Sequence, residues 1–450
     1  MRKSILLQAT IVAILLNGCS YGDNEMKFEK IKKERSLPVF SELNNTFTHE
    51  IADLENDHEV LDLISFQPYE DGRSAVMVTG GKGQSNAIYL YDSITKEVRD
   101  IAQELGLEGD ISQAKYGLAV GDISGDGMND IIIAQENGVY IYSRKDLQSK
   151  FEGKKLDVKL PENSTPLDIE LSDTQNHGSL DMYISTFIKK NLLTTANFND
   201  FKERVDNVFL KNNGRGKFSD NSKDSGLGIH QNTFMAKFVD LNNNGYPDLI
   251  PALNTSQIKI YENKKDGTFK EHTLTEGYGF WMGVATADLN GSGYKDILFT
   301  NVGKSIPSLF LRGDLNKDQK IDREYRLFRN KGNFDFYDAT KSHGLKLKKF
   351  GWDAAFINIS GEEVDYKDLY VTENYTHFPL NLHEHFPSKG SLFLQDKEGS
   401  YSQSFSKELN ISNPYFGYRV VSVDLTGNGF NDLVIANLKG PLRIFENKGY

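Results

Sequence analysis

The apolar positions of this chain fall into short runs, and the runs stop at Gly, Asn or Asp. Ile131-Ile132-Ile133-Ala134, Ile297-Leu298-Phe299 and Leu433-Val434-Ile435 are unbroken and have the length of strands buried on both faces. Others alternate. Val208-Phe209-Leu210-Lys211 leads through Asn212-Asn213-Gly214 to Phe218, and Ile258-Lys259-Ile260-Tyr261 leads through Asn263 and Gly267 to Phe269. Tyr325-Arg326-Leu327-Phe328 leads through Asn330 and Gly332 to Phe336. Alternation broken by Asn/Gly turns predicts antiparallel hairpins.

The unbroken runs share a polar preface. Asp122 to Asp130, Asp240 to Asp248, Asp288 to Asp296 and Asp424 to Asp432 are four copies of Asp-x-polar-x-polar-Gly-x-x-Asp, each between two apolar strands. Degenerate copies stand at Asp173–Asp181, with Gln175 and His177 at the inner positions, and at Asn358–Asp368, which is longer and lacks the Gly. A seventh unit survives as strand, Glu70-Asp71-Gly72 turn and strand. The units recur every 50 to 70 residues or so, and each reads as four antiparallel strands, A to D, with the polar loop joining A to B. Sheets this small cannot bury both faces alone, so stacked repeats predict an all-β, seven-bladed propeller. The last unit stops after strand C. The segment from Leu37-Pro38-Val39-Phe40 onward precedes the first unit, and is predicted to supply the missing D strand, so that no sheet edge stays free.

The loops carry chemistry. Calcium takes about six to eight oxygen ligands, and oxygens at positions 1, 3, 5 and 9 with a carbonyl at 7 would wrap one. The predicted ligands are Asp122, Ser124, Asp126, Met128 (carbonyl) and Asp130; Asp240, Asn242, Asn244, Tyr246 (carbonyl) and Asp248; Asp288, Asn290, Ser292, Tyr294 (carbonyl) and Asp296; and Asp424, Thr426, Asn428, Phe430 (carbonyl) and Asp432. Gly at position 6 permits the sharp turn. A donor set of oxygen alone disfavours soft metals. The first loop, richest in carboxylates, is expected to bind tightest, and the degenerate loops read as metal-free Asx turns. Asp314, Asn316, Asp318 and Asp322 have EF-hand-like spacing without its Gly or terminal Glu, leaving calcium and a solvated loop both open.

These loops, with strand-initial Tyr116-Gly117, Phe350-Gly351 and Phe416-Gly417, resemble the FG-GAP/VCBS repeat of integrin α propellers; the Asn-x-Gly hairpins resemble its cartilage acidic protein-like subset. The resemblance implies a propeller with calcium-binding A–B loops and names no ligand.

Arg2 and Lys3, the apolar stretch Ile5 to Leu16 and then Gly18-Cys19 have the order of a signal peptide, and the Gly-Cys pair resembles the lipobox of bacterial lipoproteins. That implies removal of residues 1–18, a lipid on Cys19, a linker over 19–36, the propeller over 37–450, and an outer-membrane location. Cys19 is the single cysteine, so no intramolecular disulfide can form. The whole chain carries a net charge of −11, which argues against nucleic acid as a partner.

Three long insertions follow B strands, at 187–204, 301–324 and 374–390, on the face opposite the polar loops. Loops of that length are commonly functional. The last holds Tyr375, His377, Phe378, His383 and His385, side chains that could stack on a sugar or grip a peptide. The reading is a non-enzymatic, calcium-stabilised adhesion or assembly scaffold for glycan or protein. A hydrolase or lyase centred on 374–390 is the alternative.

Overall fold

A computed structural model describes residues 21–49, 61–189, 203–304, 311, 315–345, 349–360, 366–374, 390–404 and 409–449. Seven four-stranded antiparallel sheets follow one another along the chain. Blade 1 is Leu63–Phe66, Ala75–Val78, Ala87–Asp92 and Glu97–Asp100. Blade 4 is Thr233–Val239, Asp248–Ser256, Lys259–Asn263 and Phe269–Thr273. Blade 7 takes Gly417–Val423, Asp432–Asn437 and Arg443–Asn447 from the end of the chain and its D strand, Phe40–Leu43, from the beginning. Phe40 pairs with Asn447 and Leu43 with Ile444, antiparallel. The predicted latch is therefore present.

Among the described residues apolar side chains gather into eight clusters, seven sandwiched between adjacent blades and one drawn from blades around the ring. Ile131 and Ile133 face blade 1, while Ile132 and Ala134 of the same strand face blade 3. This is why the B strands are apolar at every position: both faces of a blade are interior. The ring closes through Val434, Ala436 and Ile444 of blade 7 against Val76, Val78 and Tyr89 of blade 1.

Near the axis the A strands converge. A Cβ on Gly117 would lie 2.7 Å from the Asp168 Cα of the next blade, and one on Gly283 would lie 2.4 Å from the Trp352 carbonyl oxygen. Glycine is required there by close backbone approach. One end of the axis is filled by rings: Phe187 and Phe234 lie 4.8 Å apart, Phe234 and Trp352 5.5 Å, and Trp352 and Tyr418 5.1 Å.

Behind the rings sits a charged core that the sequence pattern did not reveal. Arg419 of blade 7 meets Asp62 of blade 1 at 3.2 Å and Asp168 of blade 3 at 3.3 Å. Blades 3 and 7 are not neighbours, so these groups can meet only on the axis. Each acid also accepts a backbone N–H from the next blade: Leu118 to Asp62 at 2.7 Å, Ala236 to Asp168 at 3.0 Å and Val420 to Asp353 at 3.1 Å. A β-bulge precedes Asp168, Ala354 and Arg419 in their A–B pairs, the device that re-aims a strand's side chains. The only sequence signal was a charge in an otherwise apolar A strand.

Residues Tyr21–Glu34, expected to be part of a linker, form a helix (α1) that buries Phe28 and Ile31 in the core shared by blades 6 and 7. The following Arg35 reaches Asp368 of blade 6 at 2.5 Å, both side chains fully buried. Among the described residues no helix is long and apolar enough to cross a membrane. Cys19 lies outside the described residues.

Candidate functional site

The four full A–B loops fold alike. The first Asp caps the turn. Asp122 accepts N–H groups from Gly125 and Gly127 at 2.7 Å, and Asp240 from Asn244 at 3.1 Å and Gly245 at 2.7 Å. Asp288 accepts from Ser292 at 3.0 Å and Gly293 at 2.7 Å; Asp424 accepts from Asn428 at 3.1 Å and Gly429 at 2.9 Å. The position-6 glycines have φ of +87° (Gly127), +85° (Gly245), +87° (Gly293) and +87° (Gly429), the left-handed region a side chain would strain. Position 5 makes an Asx-type turn: Asp126 accepts from Met128, Asn244 from Tyr246 and Asn428 from Phe430, each at 2.9 Å.

The last Asp does different work. Asp248 accepts from Leu241 N–H within its loop at 2.9 Å and from Asn263 N–H on strand C at 2.8 Å. Asp296 and Asp432 repeat the pair with Asn330 and Asn447. These asparagines then reach across. Asn263 Nδ2 donates to the Thr174 carbonyl of the preceding blade at 2.8 Å, Asn330 to Leu241 at 2.8 Å, Asn447 to Ile359 at 3.0 Å and Asn212 to Ile123 at 2.8 Å. In blades 3, 4, 5 and 7 one Asn thus ties its own loop to its neighbour's. The signal was the recurring Asn-x-Gly, legible as a turn but not as a staple.

Burial pushes the terminal carboxyls up, to about 7 at Asp248, where backbone N–H groups oppose the shift and Asp240 adds to it. Burial raises Asp432 to about 6 and raises Asp130 as well. No Lys or Arg stands among the leading influences on these three acids. Asp296 has Arg329 at 3.1 Å, and in the degenerate loops Asp181 has the Thr174 hydroxyl at 2.5 Å and Asp368 has Arg35. Thr426 Oγ1, at ligand position 3 of the fourth loop, is buried beside the Asp432 carboxylate and opposes the rise of its pKa. Buried carboxylates with no Lys or Arg ion pair among the described residues fit a hard cation. Among the described residues no three His, Cys, Asp or Glu side chains converge on a metal-sized site, so an ion here would rest on mixed carboxylate, amide, hydroxyl and carbonyl oxygens.

The EF-hand-like segment is different. Asp314 lies outside the described residues, Asn316 and Asp318 are exposed, and buried Asp322 is held by Arg326 at 2.8 Å. The backbone of Asp322 and Lys320 pairs with Tyr278, which fastens this insertion to the connection between blades 4 and 5.

On the face opposite the A–B loops, a cleft of about 390 Å³ opens beside blade 4. Arg204, Gln231, Thr255, Gln257, Lys259 and Tyr278 contribute to its walls. The insertion expected on this face over 187–204 ends at Arg204, but the sequence singled out none of the other wall residues; they are scattered over connections whose ends only the fold brings together. Tyr375, His377, Phe378, His383 and His385 lie outside the described residues.

Residues 240–299, from the A–B loop of blade 4 through strand B of blade 5, match the FG-GAP-like repeat. The chain is thus a seven-bladed propeller that carries an FG-GAP-like repeat. No curated protein matches it. Among solved structures it is similar to one on the specific recognition of non-reducing terminal N-acetylglucosamine by an Agrocybe aegerita lectin, at 17% identity over 86% of this chain and 90% of that one, with a TM-score of 0.42. It is also similar to BBS1N in complex with ARL6DN, at 9% identity over 89% and 96% of the two chains, with a TM-score of 0.46.

Proposed function

We propose that this chain is a non-enzymatic binding scaffold of the bacterial cell envelope, held on the outer membrane by a lipid on Cys19, stiffened by calcium in its A–B loops, and presenting the opposite face to glycan or protein. The observation that carries the binding part is the position of the polar cleft: it lies on the face to which the long insertions are appended, away from the loops that bind blades together. Calcium is supported by the buried acids Asp130, Asp248 and Asp432, which form no ion pair with Lys or Arg among the described residues. The ligands would be the oxygens at positions 1, 3, 5, 7 and 9 of each full loop, and the ion would cancel the repulsion among its acids. It would act on stability, with the ligand face shaped indirectly through the blades.

The test is a binding screen of the chain from Ser20 against glycans and envelope proteins, with calcium and with chelator. Saturable binding in calcium that weakens as chelator lowers the melting temperature is the expected result. Turnover of a polysaccharide, or binding that maps to the A–B loop face, would overturn the reading.

A further inference from the structure

The cleft beside blade 4 has an unbalanced charge. Two of its cationic groups already have partners: Lys259 Nζ lies 2.8 Å from Glu271, and His230 Nδ1 lies 2.6 Å from Asp206. Arg204 does not. It makes no hydrogen bond or ion pair among the described residues, and its Nε is fully buried. An arginine cannot shed its proton to relieve this, and a desolvated donor without an acceptor is costly to leave so.

The rest of the wall is built for hydroxyls rather than for apolar groups. Gln231 and Gln257 are held by the carbonyls of Asn254 and Thr275, the second at 2.7 Å, so each amide is oriented with an oxygen still able to accept. The phenol ring of Tyr278, anchored through its backbone to the blade 5 insertion, offers a flat face. Thr255 adds an independent sign. It is a buried β-branched residue at φ +51°, a conformation such residues rarely adopt and one that tends to persist where function requires it. The volume of about 390 Å³ falls within the range of small-ligand sites.

We infer that this cleft binds an acidic sugar, a uronate residue of a polysaccharide, with Arg204 taking the carboxylate, the glutamine amides taking ring hydroxyls and Tyr278 stacking on the ring. A planar guanidinium matches a carboxylate fork. A peptide C-terminus would offer the same carboxylate but would ask for apolar side-chain pockets, whereas most of this wall is polar. The inference rests on the scaffold reading and names the ligand class for its face.

Calorimetry on the calcium-loaded chain tests it with three probes: trigalacturonate, galactotriose and a short peptide with a free C-terminal carboxylate. Trigalacturonate should bind, more weakly as salt rises, and galactotriose about tenfold or more weakly still. Arg204→Gln should lower trigalacturonate affinity by roughly tenfold or more, the usual worth of a charge-assisted hydrogen bond, with a melting temperature no lower than that of the wild type. Tyr278→Ala should weaken it without altering the salt dependence. Equal binding of the neutral sugar, preference for the peptide, no binding of trigalacturonate, or indifference to Arg204→Gln would each overturn the assignment. If other glycans or envelope proteins still bound the wild-type chain, the scaffold reading would survive that failure. If nothing in the wider screen bound, both would fall.

Discussion

The A–B loops of blades 4 and 6 end on the same residue in the same place, and balance its charge by opposite means. Asp248 and Asp368 are both buried at the first position of strand B, and both accept the N–H of the last residue of strand C. In blade 4 the loop keeps every ligand position, and among the described residues Asp248 has no ion pair; Lys265 reaches the loop at the Asn244 carbonyl, 3.4 Å away. In blade 6 the motif has decayed, and Arg35, delivered by the segment after helix α1, meets the carboxylate directly. Burial raises the pKa of each; at Asp368 the main opposing influence is Arg35, at Asp248 only backbone N–H groups. The difference teaches that this buried acid is balanced in several ways: by Arg35 in blade 6, by Arg329 beside the full loop of blade 5, by the Thr174 hydroxyl in blade 3, and in blade 4 by backbone N–H groups, which an ion would supplement.

The staple differs too. Strand C of blade 6 ends in Gln395 where blade 4 has Asn263. Its longer side chain accepts from Lys367 N–H at 2.8 Å, and its Nε2 is buried without a partner. No bond to the preceding blade replaces the one Asn263 makes.

The largest expected effect comes from removing the protein cation. Arg35→Met should destabilise the chain by about 3–5 kcal/mol, the usual result of stranding a buried charge, and added calcium should not restore it. Denaturant unfolding in calcium and in chelator reads both halves, and rescue by calcium would break the comparison. Chelation of the wild-type chain comes next. A site filled at about 100 times its Kd contributes ~2.7 kcal/mol, so the melting temperature should fall in chelator, and by less in Asp248→Asn. An unchanged midpoint would mean the full loops need no ion.

Asn263→Ala should cost about 1–3 kcal/mol, because two carbonyls lose their donor and the Lys265 N–H in the turn loses its acceptor, and Gln395→Ala should cost measurably less. Equal losses would show that the inter-blade bond contributes little. The smallest effect is a drift with pH at the axis. Burial raises Asp62 to about 6, with Arg419 the main opposing group, so between about pH 4 and 6 the folded chain holds more proton than the unfolded one. Stability should therefore fall gently as pH rises through that window. Unfolding midpoints at pH 4.5 and 7 check the sign, and a rise would contradict it.

How much of this was legible follows from how local each feature is. The polar loops are nine residues long, and their turn chemistry depends on neighbours in sequence; Asp240, Gly245 and Asp248 announce it without help. The blade count and the N-terminal latch were legible for a related reason: a repeat that ends one strand short must find that strand elsewhere. The Asn-x-Gly hairpins were half legible, since Asn263 marks a turn in the sequence while its bond to Thr174, 89 residues away, belongs to the ring.

Sequence alone settled the unit, its recurrence and the oxygen-rich chemistry of its loops, because a strand-turn-strand is specified by residues a few positions apart. Tertiary structure alone decided which charges meet. Arg419 finds Asp168 from 251 residues away, Arg35 finds Asp368 from 333 away, and Arg204 lines a cleft whose other walls come from blades 4 and 5. A propeller brings seven distant segments to one axis and one face, so a lone charge in an apolar strand acquires its partner only once the ring has closed.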